Sequence, residues 1–302
     1  MSLVDLTSDR RVKRIITHPD DDTAIWRADL ERFLSGDTTL TRKSAGESGI
    51  RAIQRLLIFL GYSTSSNGAF AIDGDFGRGT NRGVAQFLVE HGRTRSIDRT
   101  TLCYVCRWNT AGKRITAIPD ARLSPATLEK MADIAVQRSE AGQVMTGRFD
   151  DAIFHLNALD KRQYLDCRKI LERYGDMSHA ALRKLQDETG KLVRPEWILA
   201  IIRQETAGII RPRFEQHYLS RLNKKHPTVD LEELRMQSMS MGLGQVMGAN
   251  YKRVGAATAS ELFTAPAELQ VEFVARFLLA REDVVKKSTP SEEDFHKLAR
   301  YY

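Results

Sequence analysis

Cysteine is scarce, with three in 302 residues. That is too few for a disulfide framework, so apolar cores must carry the fold, and synthesis in a reducing compartment is expected. Proline numbers only 8, which excludes a collagen-like or proline-rich chain. Long apolar runs are missing too. No uninterrupted stretch of about 18 apolar residues exists, so no membrane-spanning helix or stable membrane insertion is expected. Residues 1–22 are polar and charged, so no signal peptide is expected either.

What is present is close to an average globular composition, 42% hydrophobic and 28% charged, which excludes whole-chain disorder and a coiled coil. At roughly 150 residues per domain the length points to about two domains. The formal charge is +7, spread along the chain and not gathered in a tail. No basic helix or aromatic–basic interleaving appears, so a nucleic-acid partner is not expected, although a diffuse surplus suits a polyanionic surface.

Residues 1–46 read as an extension with one short helix, capped by Asp22 ahead of Thr23-Ala24-Ile25-Trp26. His18 with Asp20-Asp21-Asp22 lacks a second His or a Cys at ligand spacing, so it reads as helix-terminal acidity and not as a metal site. From Ser48, residues Ile50, Ile53, Leu57 and Leu60 mark one face of a helix that Gly61 can end. A turn follows at Ile72-Asp73-Gly74-Asp75-Phe76-Gly77, then a second helix from about Gly79 to Val89. The Asp-Gly-Asp lacks the later acidic ligand of a calcium loop. This string, with Gly61-Tyr62 and Gln86-Phe87, resembles the small three-helix peptidoglycan-binding module of cell-wall hydrolases. The resemblance implies wall contacts from Tyr62, Asp73 and Phe76, in a module and helical connector spanning 47–140.

The middle of the chain is helical in pattern. Ser124-Pro125 is an N-cap and N1 pair, and further helices are expected over Asp151–Leu159, Lys161–Tyr174 and Ser178–Thr189. Cys103-x-x-Cys106 has no second such motif and reads as ordinary thiols.

Past Val193 the pattern sharpens. Pro195 takes a natural N1 position, and Glu196 to Glu205 reads as a largely buried helix. Glu205 lies i+4 from Ile201 and i+7 from Ile198, so it shares their apolar face. It also sits in the last turn, where the helix dipole disfavours a negative charge. Both effects push a carboxyl towards its neutral form, the state needed to protonate a glycosidic oxygen. Further on, Gly242-x-Gly244-x-x-x-Gly248 has the wrong spacing and context for a nucleotide loop. Its glycines would let backbone approach a bulky ligand, with Gln245, Asn250 and Tyr251 offering hydrogen bonds and a stacking face.

Four ordered pieces carry a second resemblance. They are Glu205-Thr206-Ala207-Gly208; Arg213-Phe214-Glu215-Gln216-His217-Tyr218; Ser240-Met241-Gly242-Leu243-Gly244-Gln245-Val246-Met247-Gly248-Ala249-Asn250-Tyr251; and Phe295-His296-Lys297-Leu298-Ala299-Arg300-Tyr301-Tyr302. Together they resemble the N-acetylmuramidase family common among phage endolysins, a branch of the lysozyme-like superfamily. The resemblance implies a mainly α protein whose residues 141–302 form a lysozyme-like catalytic domain, with its core motifs in 193–302. It implies Glu205 as catalytic acid, Glu215 as the residue that activates or orders water, and Ser240, Gln245, Asn250, Tyr251 and Tyr301 along the saccharide groove. The implied partner is bacterial peptidoglycan, with no metal or cofactor. A monomer is expected, made in a host cytoplasm and reaching the wall after release. Two alternatives stay open: a lytic transglycosylase, and a non-catalytic wall-binding or virion protein.

Overall fold

The computed structural model describes residues 8–35, 46–94, 97–104, 121 and 123–302. It is mainly helical. In chain order the helices are α1 (Arg10–Ile16), α2 (Thr23–Leu34), α3 (Glu47–Phe59), α4 (Arg78–Glu90), α5 (Arg99–Tyr104), α6 (Pro125–Glu140), α7 (Phe149–Asp160), α8 (Cys167–Thr189), α9 (Pro195–Glu205), α10 (Gln216–Lys225), α11 (Leu231–Gln237), α12 (Ala259–Thr264), α13 (Ala267–Leu278), α14 (Glu282–Val285) and α15 (Glu292–Tyr301). No helix among the described residues is long and apolar enough to cross a membrane. Cys103 is buried, while Cys106 lies outside the described residues.

Helix α3 is the hub of the first half. The stripe Ile50, Ile53, Leu57 and Leu60 is buried as expected, but burial runs around the helix and takes in Gln54 and Arg55. The cause is that α1, α2, α4, α6 and α7 all pack on it. Such a position tolerates a cation only when it is fully paired. Arg55 donates to the carbonyls of Ile15 (2.8 Å) and Thr17 (2.9 Å), to Asn157 Oδ1 (2.7 Å) and to Asp160 Oδ2 (2.6 Å). One guanidinium thereby ties the end of α1 and the end of α7 to α3. The Asp73–Asp75 turn is likewise filled from α3. The Gln54 amide accepts from the N–H groups of Asp73 and Gly74 and donates to Asp73 Oδ1 and the Asp75 carbonyl, taking the centre that a cation would need.

In the second half, α8 differs from expectation. The two helices expected around Gly175 are one 23-residue helix. Gly costs a helix interior about 1 kcal/mol, and here that is offset by the apolar stripe Ile170, Tyr174, Ala181, Leu182 and Leu185, buried where α9 and α13 pack. A small antiparallel sheet of order β1-β2-β3 completes this half, formed by Arg213–Phe214, Met239–Met241 and Val246–Met247. Its register pairs Arg213 with Ser240, and Ser240 with Met247.

Among the contacts that join the halves are a strand-edge pairing and a buried ion pair. The 65–69 loop lies along the outer edge of β1: Ala69 bridges Arg213, and the Phe214 N–H donates to the Gly68 carbonyl at 2.8 Å. Gly68 has φ +90°, and a Cβ there would lie 2.0 Å from the Phe214 oxygen, so only glycine fits. The second contact is a buried ion pair between Glu90 of α4 and Arg235 of α11, with side chains 2% and 1% exposed.

Candidate active site

Helix α9 starts with Pro195 in its first turn and ends at Glu205. Its buried face is Trp197, Ile198, Ile201 and Ile202, which leaves Glu205 half-buried at the end of an apolar stripe. Thr206 follows, fully buried, with its hydroxyl within hydrogen-bond distance of the carbonyls of Ile202 (3.0 Å) and Leu243 (2.9 Å). The chain then turns left-handed through Ala207 (φ +46°) and Gly208 (φ +74°). Tyr174 Oη donates to the Gly208 carbonyl and the Leu165 N–H to that of Ala207, at 2.8 and 2.9 Å. These bonds fix where the helix stops, and so where the Glu205 carboxyl sits.

Burial pushes the Glu205 carboxyl above the usual carboxylate range, and the Arg211 cation pulls the other way. The direction is the one expected from the helix pattern. Arg211 is held in place by a bond to the Glu205 backbone carbonyl at 3.2 Å. The Tyr302 phenol is held neutral by its own burial and further by the charge of Glu205. Its hydroxyl donates to the Gly244 carbonyl.

Gly244 belongs to the hairpin turn between β2 and β3, against which Thr206 and Tyr302 both rest. Gln270 holds the turn from below, accepting from the Leu243 N–H at 3.0 Å. A Cβ at Gly244 would lie 2.4 Å from Val274 and 2.5 Å from the Tyr302 hydroxyl, so the close approach expected of this glycine is made to protein groups. Gln245 sits in the same turn at φ +52°, half-exposed, donating to the Gly242 carbonyl at 3.1 Å. Ser240 lies mid-strand in β2, while Asn250 and Tyr251 occupy the 3-10 turn Gly248–Val254; all three are partly exposed.

Glu215 is placed differently from Glu205. It follows β1, its N–H donates to the Ser238 carbonyl at 2.8 Å, and it precedes the first residue of α10. Ser238 is at the end of β2 away from the hairpin turn. At about 3.3 Å per residue, the strand from Ser238 to Met241 sets Glu215 about 10 Å from that turn. Its carboxylate is paired with Arg213 Nε at 3.0 Å, with His217 Nδ1 3.8 Å away. Tyr301 also turns from the hairpin: its hydroxyl donates to the Phe277 carbonyl at 3.2 Å, and its ring packs 5.6 Å from Phe277 with Arg253 alongside.

Of the three wall-contact residues, Asp73 is exposed while Phe76 and Tyr62 are in the core. Tyr62 has no exposed surface, and its hydroxyl donates to Glu90 at 2.8 Å. Sequence reasoning missed Tyr302 and Arg211. Tyr302 adjoins Tyr301 in the same motif, and only the packing of α15 decides which of the two faces Gly244. An open cleft of about 460 Å³ also borders the end of α9, lined by Tyr164, Leu165, Arg203, Gln204, Ala207 and Arg211.

Comparison with known proteins adds one finding. No curated protein and no solved structure matches the chain. Residues 212–302, which hold the sheet, the hairpin turn and Tyr302 but begin after Glu205, match the family model described as Muramidase, N-acetylmuramidase, and that match supports a muramidase, a glycosidase acting on peptidoglycan.

Proposed function

We propose that the chain hydrolyses the β-1,4 bond between N-acetylmuramic acid and N-acetylglucosamine in peptidoglycan, with Glu205 as the general acid. One observation carries this reading: a carboxyl raised by burial sits at the end of an apolar helix, beside the hairpin turn of the matched stretch. Glu205 gives its proton to the leaving O4 of the glucosamine as the muramic C1–O bond breaks and positive charge grows on the ring. Water adds to C1, and its proton passes to a base. Tyr302 and Arg211 flank the acid. Gln245, Ser240, Asn250 and Tyr251 are the proposed saccharide contacts, half-exposed around the same turn and strand. Glu215 is the proposed base, acting through an ordered water.

The test is turbidity clearing of purified peptidoglycan by wild type and Glu205→Gln at equal concentration. A Gln has no proton to donate, so clearing is expected to fall about 10²–10⁴-fold. Clearing at the wild-type rate would end the assignment.

A second reading, a lytic transglycosylase, is favoured by the engagement of Glu215 with Arg213. In that reaction the muramic 6-hydroxyl attacks C1, no water is added, and the products end in 1,6-anhydro sugars. Product masses lower by one water per cleavage distinguish it. Motif order extends the proposal to a phage-type endolysin whose residues 47–140 bind the wall. Retention of the Glu205→Gln chain on insoluble peptidoglycan tests that part.

A further inference from the structure

Apart from Arg211, the cleft at the end of α9 takes no part in the steps above, yet its chemistry is specific. Arg203 is exposed on its rim and has no ion-pair partner among the described residues. Arg211 gives one bond to the Glu205 carbonyl, and its guanidinium lies 5.2 Å from the Tyr164 ring. Tyr164 is 48% exposed, an aromatic face left open beside two cations. The one acidic side chain of the lining, Asp166, is already engaged, accepting from the Lys169 N–H at 2.9 Å as the cap of α8, with Lys169 Nζ 4.0 Å away. Two guanidinium groups against one occupied carboxylate make a place for an anion, and the planar fork of arginine can pair with a carboxylate through two parallel bonds.

The position of the cleft narrows what that anion is. Arg211 lines the cleft and bonds the backbone carbonyl of Glu205 at 3.2 Å, so an anion held there lies beside the end of the helix that carries the proposed acid. In the proposed substrate the sugar backbone is neutral, and the carboxylates belong to the peptide stem carried by each muramic residue. We propose that this cleft receives the peptide stem of the muramyl unit at the cleavage site, with Arg203 and Arg211 pairing to a stem carboxylate and Tyr164 covering the adjoining apolar atoms. This inference rests on the muramidase reading above.

The arrangement also links recognition to chemistry. A stem carboxylate beside Arg211 offsets the cation that opposes protonation of Glu205, so strands with stems keep the acid in its donating form. Strands whose stem carboxylates are capped as amides leave Arg211 uncompensated.

The experiment compares two substrates: glycan strands with peptide stems, and the same strands with the stem carboxylates capped as amides. Wild type is expected to prefer the first. In Arg203→Ala the ratio of kcat/KM between the two should fall about fivefold, mostly through KM, as for loss of one partly exposed charged pair. Arg203→Lys should recover part of the ratio, and Tyr164→Ala should lower it. A ratio unchanged in all three variants, or a wild type indifferent to the capping, overturns the proposal. Titration of the Glu205→Gln chain with soluble muramyl dipeptide and with the same dipeptide capped as its carboxamide separates the two claims. Tighter binding of the uncapped dipeptide, lost in the Arg203→Ala double variant, supports the cleft even if neither strand is cleaved; equal affinity counts against it even if both are.

Discussion

Removing Glu90 should strand a buried cation. Glu90 Oε1 accepts from Arg235 Nε at 2.8 Å, and Oε2 accepts from Arg235 Nη at 3.1 Å and from Tyr62 Oη at 2.8 Å. The Arg235 guanidinium cannot escape by losing its proton. Its intrinsic basicity keeps a guanidinium protonated in proteins, and in the wild type Glu90 more than offsets the burial that works against the charge. In Glu90→Ala the cation keeps the Gly61 carbonyl at 2.5 Å, the Tyr62 ring at 4.1 Å and Glu232 at 3.7 Å. Those partners do not neutralise it at contact, so the loss should be about 3–5 kcal/mol. Glu90→Gln should cost less, since its amide oxygen still accepts one N–H. The double variant Glu90→Leu, Arg235→Met removes both charges and should recover most of the loss. Urea unfolding at neutral pH, followed by tryptophan fluorescence and by circular dichroism, measures each value. Glu90 and Tyr62 belong to the first half and Arg235 to the second, so both probes should report one transition in wild type. A Glu90→Ala loss below about 1 kcal/mol, or a double variant as unstable as the single, would refute the reasoning.

Three further outcomes follow from the geometry. Arg211 lowers the Glu205 pKa, so Arg211→Gln should raise it, keep the acid protonated to higher pH and move the falling alkaline limb of the kcat profile upward; an unmoved limb contradicts the coupling. Gly68→Ala places a Cβ against the Phe214 carbonyl at positive φ and should cost more than about 1 kcal/mol in urea unfolding, whereas a neutral result would show that the loop does not sit on the sheet edge. His155 is buried, accepts from the Ile210 N–H, and is held neutral down to about 3 from a usual 6.5. The unfolded chain therefore binds a proton that the folded one does not, and stability should fall as pH drops from about 6.5 towards about 3. A His155→Gln variant should show a flatter Tm profile over that range, and an equally steep one would contradict the assignment.

Helix α9 was legible because every local signal agreed: Pro195 at its start, an apolar stripe through Ile198 and Ile201, and Gly208 after its end. The position of Glu205 on that stripe follows from 3.6-residue periodicity alone. Other features depend on distant chain. Arg55 reads as a surface residue in any periodic pattern, and it is buried because the carbonyls of α1 and the carboxylate of Asp160, over a hundred positions away, supply its partners. Gly175 reads as a break, and helix α8 runs through it because α9 and α13 cover both flanks. The Asp73–Asp75 turn reads only as a turn in sequence, and the Gln54 amide that fills it comes from a helix some twenty positions earlier. Tyr301 and Tyr302 are equivalent in sequence, and the contact between Tyr302 and Gly244 separates them.

The most direct measurement is mass spectrometry of the fragments released from purified peptidoglycan by wild type and by Glu205→Gln, with both chains shown to unfold at the same temperature. The account predicts wild-type fragments carrying a reducing muramic acid, one water heavier per cut, and almost none from the variant. Release of the same fragments by Glu205→Gln at a comparable rate would contradict it.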